Sequence, residues 1–252
     1  DGEIKKPRWM NQSGLPLDRM LTQNSEKNIW LAEAKYIKEN LSDTAIKNAF
    51  AELPEELQDE TSSRIMKALM SRRDLIEDIA GRYYDYLSKH GIIKGADKDD
   101  YFEILREDNK TIINISRIKK GDILKPYSTR TFESKETKEI WIYGLDDDDR
   151  FVVKGNGRNP IRIRIVGGQN NDIYEIENGK KIKVYDHKSK PNTIKKRGGA
   201  KFILSDIYSY NVFDHNKYID KTNTITPFIG FNPDDGININ VTDVYTVKGF
   251  KN

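Results

Sequence analysis

The chain has 252 residues and a formal net charge of +3, because 43 Lys and Arg nearly balance 40 Asp and Glu. Hydrophobic residues make up 36% and charged residues 33%, and 13 Tyr, 9 Phe and 3 Trp supply material for a core, so we expect a folded chain with a polar surface. Cysteine is absent, which excludes disulfides, thiolate metal sites and cysteine nucleophiles. We find no apolar run near the roughly 20 residues of a membrane helix. The chain starts at Asp1 and shows no signal peptide, so we expect a piece of a longer protein.

Residues from about 16 to 90 have helical periodicity, and residues 1–95 are predicted to form one subdomain. Ser42 precedes an apolar run at helical spacing, where it can cap a helix. A longer apolar stripe, with Arg and Asp on its opposite face, covers about residues 60–90, and Gly91 follows in the usual C-cap position. These patterns predict an N-terminal helical subdomain of three helices joined by short loops.

From residue 96 the apolar period changes to two. Segments such as EIWIYGL, RFVVKG and IRIRIVGG alternate apolar and polar residues and are separated by Gly, Asn and Asp. The pattern predicts a β-rich subdomain over 96–186, and therefore an α+β fold. Residues 187–200, HKSKPNTIKKRGGA, are interpreted as a basic linker. Their lysines could neutralise phosphates, but no aromatic residue interleaves with them, so we expect no nucleic-acid partner.

Two acidic turns in the β-rich part share one spacing. GLDDDDRFV begins at residue 144 and GGQNNDIYE at residue 167; each has Gly first, Asp sixth and a large apolar residue eighth. This spacing approximates the G-G-x-G-x-D-x-U-x nonapeptide of calcium-binding parallel β-rolls, in which turn carbonyls and a carboxylate surround the ion. We therefore predict a Ca²⁺ site on two adjacent roll-like rungs. Its predicted ligand residues are Asp149, Asp172, Asp147, Asn170, Gly144 and Gly167.

The match to the nonapeptide is incomplete. Leu145 replaces the second glycine, and Asp147 and Asn170 replace the fourth, although Asp and Asn tolerate positive φ. The copies lie 23 residues apart instead of 18, so an insertion of about five residues within 154–160 is required. Two stacked rungs are expected, and an extended roll is not. A metal-free turn is the alternative, in which the sixth-position aspartates hydrogen-bond to backbone amides.

Residues 201–252 end in a turn and a long alternating strand. Asn232 to Gly236 is a strong turn signal. The following residues 237–247 alternate apolar and polar side chains, except for Asp243, which is out of phase. About ten alternating residues are typical of a transmembrane β-strand, although a soluble amphipathic strand looks the same. We expect this segment to be the start of a truncated β-barrel.

Several stretches resemble a known family. FESKETKEIWIYGLDDDDRFVVKG, IRIRIVGGQNNDIYEI and TPFIGFNPDDGI look like the segment that precedes and enters the surface-antigen-type β-barrel of large Bacteroidetes envelope proteins. LMSRRDLIEDIAGRYYDYL resembles the helical part before it, and the likeness covers most of residues 40–250. The resemblance implies a periplasmic or outer-membrane location. It also implies that a calcineurin-like metallophosphoesterase domain often lies upstream.

No catalytic centre is predicted within the chain. The three histidines, His90, His187 and His215, lie outside any metallophosphoesterase ligand block, and we interpret them as surface or linker residues. No P-loop, nucleophile elbow or Rossmann fingerprint is found.

A pair of carboxylates is the remaining catalytic hypothesis. Glu133, Glu136 and Glu139 precede the run Asp146 to Asp149 and could form a glycosidase-like pair with it. In so acidic a segment three glutamates are expected by chance, so we do not favour this interpretation.

The predicted function is a non-catalytic structural and interaction module of a Gram-negative cell-envelope protein, which positions a neighbouring domain or partner at the outer membrane. Its expected partners are other domains of the parent chain, envelope proteins and the outer membrane through a following barrel. Tyr83, Tyr84 and Tyr86 offer a partner face, although core packing is their commoner use. Two alternatives stay open: an accessory part of an upstream metallophosphoesterase, and a soluble module that binds carbohydrate or peptide.

Overall fold

The structure, a computed structural model, describes residues 2–22, 25–234 and 236–250. It combines helices and sheets, so the α+β class is confirmed at that level. The helices of the first part are α1 Pro7–Met10, α2 Leu15–Leu21, α3 Lys27–Asn40, α4 Asp43–Ala51, a 3-10 helix Glu55–Leu57, α5 Glu60–Asp74 and α6 Ile76–Leu87. None of the described helices is long and apolar enough to cross a bilayer.

One predicted helix boundary, the start of α4, is found in the structure, and the predictions for the segment 60–90 and its C-cap are not. Ser42 caps α4 as predicted, because its Oγ accepts a hydrogen bond from the backbone N–H of Ala45 at 3.1 Å. The long segment predicted over 60–90 is two helices, which meet at Leu75. Gly91 is not a helix cap; it lies in a strand, where a Cβ would come within 2.6 Å of the ring of Phe132.

The second part of the chain consists almost entirely of strands. They are β1 His90–Lys94, β2 Asp100–Glu107, β3 Lys110–Lys119, β4 Asp122–Glu133, β5 Glu139–Leu145, β6 Arg150–Gly155, β7 Arg162–Gly168, β8 Ile173–Ile176, β9 Ile182–Asp186, β10 Thr193–Lys196, β11 Lys201–Leu204, β12 Asp220–Asn232 and β13 Gly236–Lys248, with helix α7 at Tyr208–Asn211.

The strands β1 to β11 form two sheets, and apart from the consecutive strands β2, β3 and β4 the chain alternates between them. One sheet has the order β1-β5-β7-β9-β11 and is entirely parallel. The other has the order β10-β8-β6-β2-β3-β4, in which only the hairpin β2-β3-β4 is antiparallel. Each of β1, β5, β7 and β9 leads through a turn into its partner in the second sheet, namely β2, β6, β8 and β10. Alternate residues of both sheets form one apolar core, which includes Ile104, Ile140, Phe151, Ile163 and Val184.

This arrangement has more turns than the two that the sequence analysis expected. Turns connect the sheets at the same end over residues 95–100, 144–149, 167–172 and 186–192. The predicted linker 187–200 contributes β10, which pairs with β8, so the sheet continues through it. The reason is that Ile194 packs against the apolar core while its lysine neighbours stay exposed, and the charges hid a short strand.

The last two strands form a long hairpin outside these sheets. β12 pairs with β13 from Asp220 opposite Lys248 to Asn232 opposite Gly236. Its base is fixed to the rest of the chain, because Arg8 forms an ion pair with Asp220 and the Lys248 ammonium donates to the Tyr218 hydroxyl at 2.9 Å. Beyond the base, most of its side chains are exposed.

Candidate site in the acidic turns

A ladder of hydrogen bonds connects the four turns. The backbone N–H of Asp100 donates to Asp149 Oδ1 at 2.8 Å, and that of Asp149 donates to Asp172 Oδ1 at 2.9 Å. The backbone N–H of Asp172 in turn donates to Asn192 Oδ1 at 2.8 Å. Each side chain therefore ties its own turn to the preceding one and satisfies a backbone donor that β pairing leaves free.

One member of this ladder was missed in the sequence. GADKDDYF has Gly95 first, Asp100 sixth and Phe102 eighth, the same spacing as the two turns that were recognised. The copy escaped notice because β3 and β4 separate it from the next one by 49 positions, measured from Asp100 to Asp149. The spacing itself was the available signal.

The first-position glycines are required by the carboxylates. A Cβ on Gly144 would lie 2.1 Å from Asp149 Oδ2, and a Cβ on Gly167 would lie 2.2 Å from Asp172 Oδ2. The positive φ angles of the second turn belong instead to Leu145, at 90°, and Asp147, at 66°. The glycine thus provides room for the acid five residues later, and the turn is made by residues that depart from the nonapeptide.

The eighth-position residues stack on one another in the core. The rings of Phe102 and Phe151 lie 4.7 Å apart with 13° between their planes, and those of Phe151 and Tyr174 lie 5.3 Å apart with 8° between them. All three side chains are fully buried. This stack holds the turns in register from the inside, because each ring follows its aspartate by two residues on the same strand.

Burial strongly perturbs the two central carboxyls. Asp149 is 1% exposed, and its Oδ2 has no hydrogen-bond partner among the described residues. Burial raises the pKa of Asp149 to about 9; the hydrogen bond from Asp100 opposes this, and the charge of Asp172 adds to it. Burial, followed by the charge of Asp186, raises the pKa of Asp172 above its ordinary value. The Tyr174 hydroxyl lies between Asp172 and Asp186, 3.5 Å from Asp172 Oδ2, and donates to Asp186 Oδ2 at 2.5 Å.

The predicted calcium ligands are brought together only in part. Asp149 Oδ2 and the Gly167 carbonyl oxygen both lie within 2.3 Å of the position that a Cβ of Gly144 would take, so oxygens of two turns converge there. No hydrogen bond joins the side chain of Asp147 or Asn170 to these buried carboxyls within the described ranges. Calcium takes six to eight oxygens, and the described residues contain no group of three or more His, Asp or Glu side chains that could hold a metal. Two convergent oxygens are fewer than calcium takes, so the Ca²⁺ site stays a prediction.

The glycosidase-like carboxylate pair is not formed. Glu133 and Glu136 precede β5 and the aspartate run follows it, so about seven strand residues, or roughly 20 Å, separate the two groups. Catalytic pairs need about 5 to 9.5 Å. Glu139 has a structural role instead, because Arg164 donates to it at 2.5 Å and the Trp141 indole N–H at 2.7 Å.

The position of one of the three histidines differs from the prediction. His187 is partly exposed, with Nδ1 3.6 Å from Asp206, and His215 is exposed. His90 was predicted at the surface or in a linker, and this is wrong: it is 5% exposed in β1, with its ring 4.2 Å from that of Trp141. The strand begins one residue earlier than the helical pattern suggested, which turns this side chain inward.

Comparison with known proteins gives no identification: no protein-family model, curated protein or solved structure matches the chain.

Proposed function

We propose that the chain is a non-catalytic structural and interaction module of a Gram-negative cell-envelope protein. In this proposal the two sheets form a β-roll-like scaffold that positions a neighbouring domain or partner at the outer membrane. The ladder supports a scaffold role, since its acidic side chains are used for contacts between turns. The observation that carries the membrane assignment is the amphipathic hairpin β12–β13.

The two faces of this hairpin differ in polarity. On one face Pro227, Ile229 and Phe231 of β12 lie opposite Val241, Ile239 and Ile237 of β13. These side chains are highly exposed, for example 73% for Phe231 and 70% for Ile239. Asp243 interrupts this face opposite Ile225, in agreement with its being out of phase in the sequence. The other face is rich in threonine and asparagine, as in the pairs Thr222–Thr246 and Thr226–Thr242.

Such a hairpin needs a further surface. A two-stranded hairpin is marginally stable by itself in water, and a row of exposed large apolar side chains is unfavourable there. Strands with an apolar lipid face and a polar inner face are typical of outer-membrane barrels, and 13 residues per strand exceed the roughly 9 to 11 that span a bilayer. We therefore infer that the hairpin begins a membrane-embedded β structure.

Vesicle flotation tests this proposal. The chain is mixed with vesicles of phosphatidylethanolamine and phosphatidylglycerol, and the fraction that floats with lipid is measured. We expect the unaltered chain to float and the double variant Ile229→Asp/Ile239→Asp to stay in solution, because the new charges lie on the apolar face.

The matched control is Thr226→Asp/Thr242→Asp, which adds the same two charges to a cross-strand pair on the polar face. It should float like the unaltered chain. The proposal fails if the unaltered chain does not float, or if both double variants lose flotation equally.

Calcium is a second proposal, supported by the unpartnered Asp149 Oδ2 beside the Gly167 carbonyl oxygen. When bound, Ca²⁺ would supply positive charge to a buried carboxylate and stabilise the turns. We expect millimolar CaCl₂ to raise the melting temperature of the chain more than MgCl₂ does, and Asp149→Asn to remove the difference. Equal shifts with both salts would exclude a specific calcium site while leaving the membrane proposal untouched.

A further inference from the structure

A small cavity lies between the helices and the sheets. Its volume is about 50 Å³, and its walls come from α2, α6, β1 and β4 among other elements. Arg19, His90 and Arg130 all line it. These three residues are 6%, 5% and 9% exposed, so the part of the cavity that they line consists of buried nitrogen groups.

Arg130 has no carboxylate partner. It forms no ion pair or hydrogen bond with any residue in the described part of the chain, and its Nε is buried without an acceptor. Its guanidinium carbon lies 4.8 Å from the centre of the Phe132 ring, in a cation–π contact. Burial lowers the pKa of Arg130, which reflects the cost of placing this cation away from water.

Arg19 is only partly satisfied. Its Nη1 donates to the carbonyl oxygens of Leu87 and His90 at 3.3 and 3.2 Å, and its Nε has no acceptor. No carboxylate of the described residues lies within ion-pair distance of it. The buried Arg106 is satisfied in a similar way, by two carbonyl oxygens at 3.0 and 3.1 Å and with Nε free of an acceptor, but it does not line this cavity.

The other charged groups at the cavity are occupied or neutral. Both ring nitrogens of His90 are buried without a partner; burial, then the charge of Arg19, lowers its pKa, so the imidazole is neutral and can donate one N–H. Two glutamates also line the cavity, and each lies near a lysine: Glu133 is 3.4 Å from Lys110 and Glu136 is 3.9 Å from Lys135. The side chains of both glutamates are partly exposed to water, whereas the two arginines are buried, so the buried charge at the cavity is positive.

We propose that this cavity binds a compact oxyanion, a phosphate group, between Arg19 and Arg130, with His90 as a neutral hydrogen-bond donor. A water-sized group needs about 10 to 15 Å³ of such volume, so the cavity holds roughly three to five, which matches the five heavy atoms of phosphate. Guanidinium groups bind phosphate through paired N–H donors. The bound anion would join α2 to β4, and thereby the helical part to the sheets.

Titration calorimetry of the whole chain with inorganic phosphate, against sodium chloride of equal ionic strength, tests the site. We expect saturable binding with one phosphate per chain. Arg130→Gln should weaken binding at least about tenfold, since one of two guanidinium partners is lost. The control Arg158→Gln removes the same charge from an arginine whose side chain is 78% exposed, and it should bind like the unaltered chain.

Three outcomes would overturn the proposal: no saturable binding by the unaltered chain, equal binding by Arg130→Gln, or equal loss in Arg158→Gln. If Arg130→Gln does not fold by circular dichroism, Arg130→Lys takes its place, because it keeps the charge but loses the planar donor pair and should still bind more weakly. A parallel titration with glycerol 3-phosphate distinguishes a free ion from the phosphate of a larger molecule. Binding of either that depends on Arg130 supports the site.

Discussion

At the scale of single residues, Asn192 shows what the ladder requires. It takes the position that an aspartate holds in the other turns and accepts the backbone N–H of Asp172 in the same way. A neutral side chain therefore satisfies this contact. We therefore expect the oxygen that accepts the backbone hydrogen bond, and not a negative charge, to contribute to stability.

Two substitutions of Asp149 separate these contributions. Asp149→Asn keeps an oxygen acceptor for the N–H of Asp100 and removes a buried carboxyl, so we expect the free energy of unfolding to change by less than about 1 kcal/mol. Asp149→Ala leaves that N–H without an acceptor and should cost about 1 to 3 kcal/mol. Urea denaturation of both variants at pH 7, with calcium chelated, measures the difference. Equal destabilisation by Asp149→Asn and Asp149→Ala would contradict the role of the hydrogen bond between Asp100 and residue 149 in stability.

The buried carboxylate of Glu139 should make the free energy of unfolding depend on pH. Burial alone would raise its pKa, but hydrogen bonds from Trp141 and Arg164 and the charge of Arg164 lower it below the ordinary value. A carboxyl with a lowered pKa in the folded state contributes stability above the unfolded pKa of about 4.3, and this stability is lost as the pH falls through the folded value. Glu139→Gln should therefore cost about 2 to 3 kcal/mol at pH 7. The difference from the unaltered chain should shrink below about pH 4.

Glu175→Gln is the control for this measurement, because Glu175 pairs with Arg150 in a half-exposed position. Exposed pairs contribute about 0 to 1 kcal/mol. Denaturation at a series of pH values compares the two variants. A loss for Glu139→Gln that stays constant down to pH 3 would show that its carboxylate charge is not responsible.

At the scale of elements, the aromatic stack determines how the turns align. Phe151 is fully buried between Phe102 and Tyr174. Phe151→Ala should lower the free energy of unfolding by about 3 to 5 kcal/mol, because it opens a cavity in the core and removes both ring contacts. The same change at Phe228, which is 63% exposed in the hairpin, should alter it by less than about 0.5 kcal/mol in solution. Chemical denaturation of the two variants provides the test, and similar losses would contradict this view of the core.

The elements also show how far the sequence predicts this molecule. Strict alternation over residues 161–165 predicted β7. The insertion predicted within residues 154–160 lies mostly in the connection from β6 to β7. The turns of Asp149 and Asp172 were predicted, and their backbone hydrogen bonds were foreseen in the metal-free alternative.

Other features could not be predicted because they depend on distant contacts. The turn at Asp100 was hidden by an inserted hairpin, and β10 was hidden by its lysines, whose strand is defined by pairing with β8. Nor did any local pattern indicate the cavity of Arg19 and Arg130, since these residues are 111 positions apart in the sequence and line one cavity only in the folded chain. The alternation of apolar residues in a sequence predicts which face of a strand is buried. It does not predict which other element packs against that face.

At the scale of the whole molecule, stability should be unevenly distributed. The inner strands β5 and β7 are paired on both sides and mostly buried, while β12 and β13 pair only with each other and are exposed. We expect amide hydrogens of β5 and β7 to exchange slowest and those in the outer half of β12–β13 to exchange fast in solution. With phosphatidylethanolamine and phosphatidylglycerol vesicles, the hairpin amides should become protected.

Hydrogen exchange followed by mass spectrometry measures both states. Peptides from α3 provide the internal control, since their exchange should be the same with and without lipid. Slow exchange of the hairpin in lipid-free solution would contradict the proposal that it needs a further surface.

The two edge strands of the six-stranded sheet have features that oppose aggregation. Its outermost strands, β10 and β4, each contain a break in pairing register, and they carry the exposed residues Lys195, Lys196 and Lys125. Open sheet borders are templates for uncontrolled growth, and lysines and bulges are how proteins block it. We therefore expect the charges of Lys195 and Lys196 to keep one molecule from extending the sheet of the next. Replacing Lys195 and Lys196 by valine should produce fibrils or higher oligomers in analytical ultracentrifugation, whereas replacing the exposed Lys180 and Lys188 should leave a monodisperse protein.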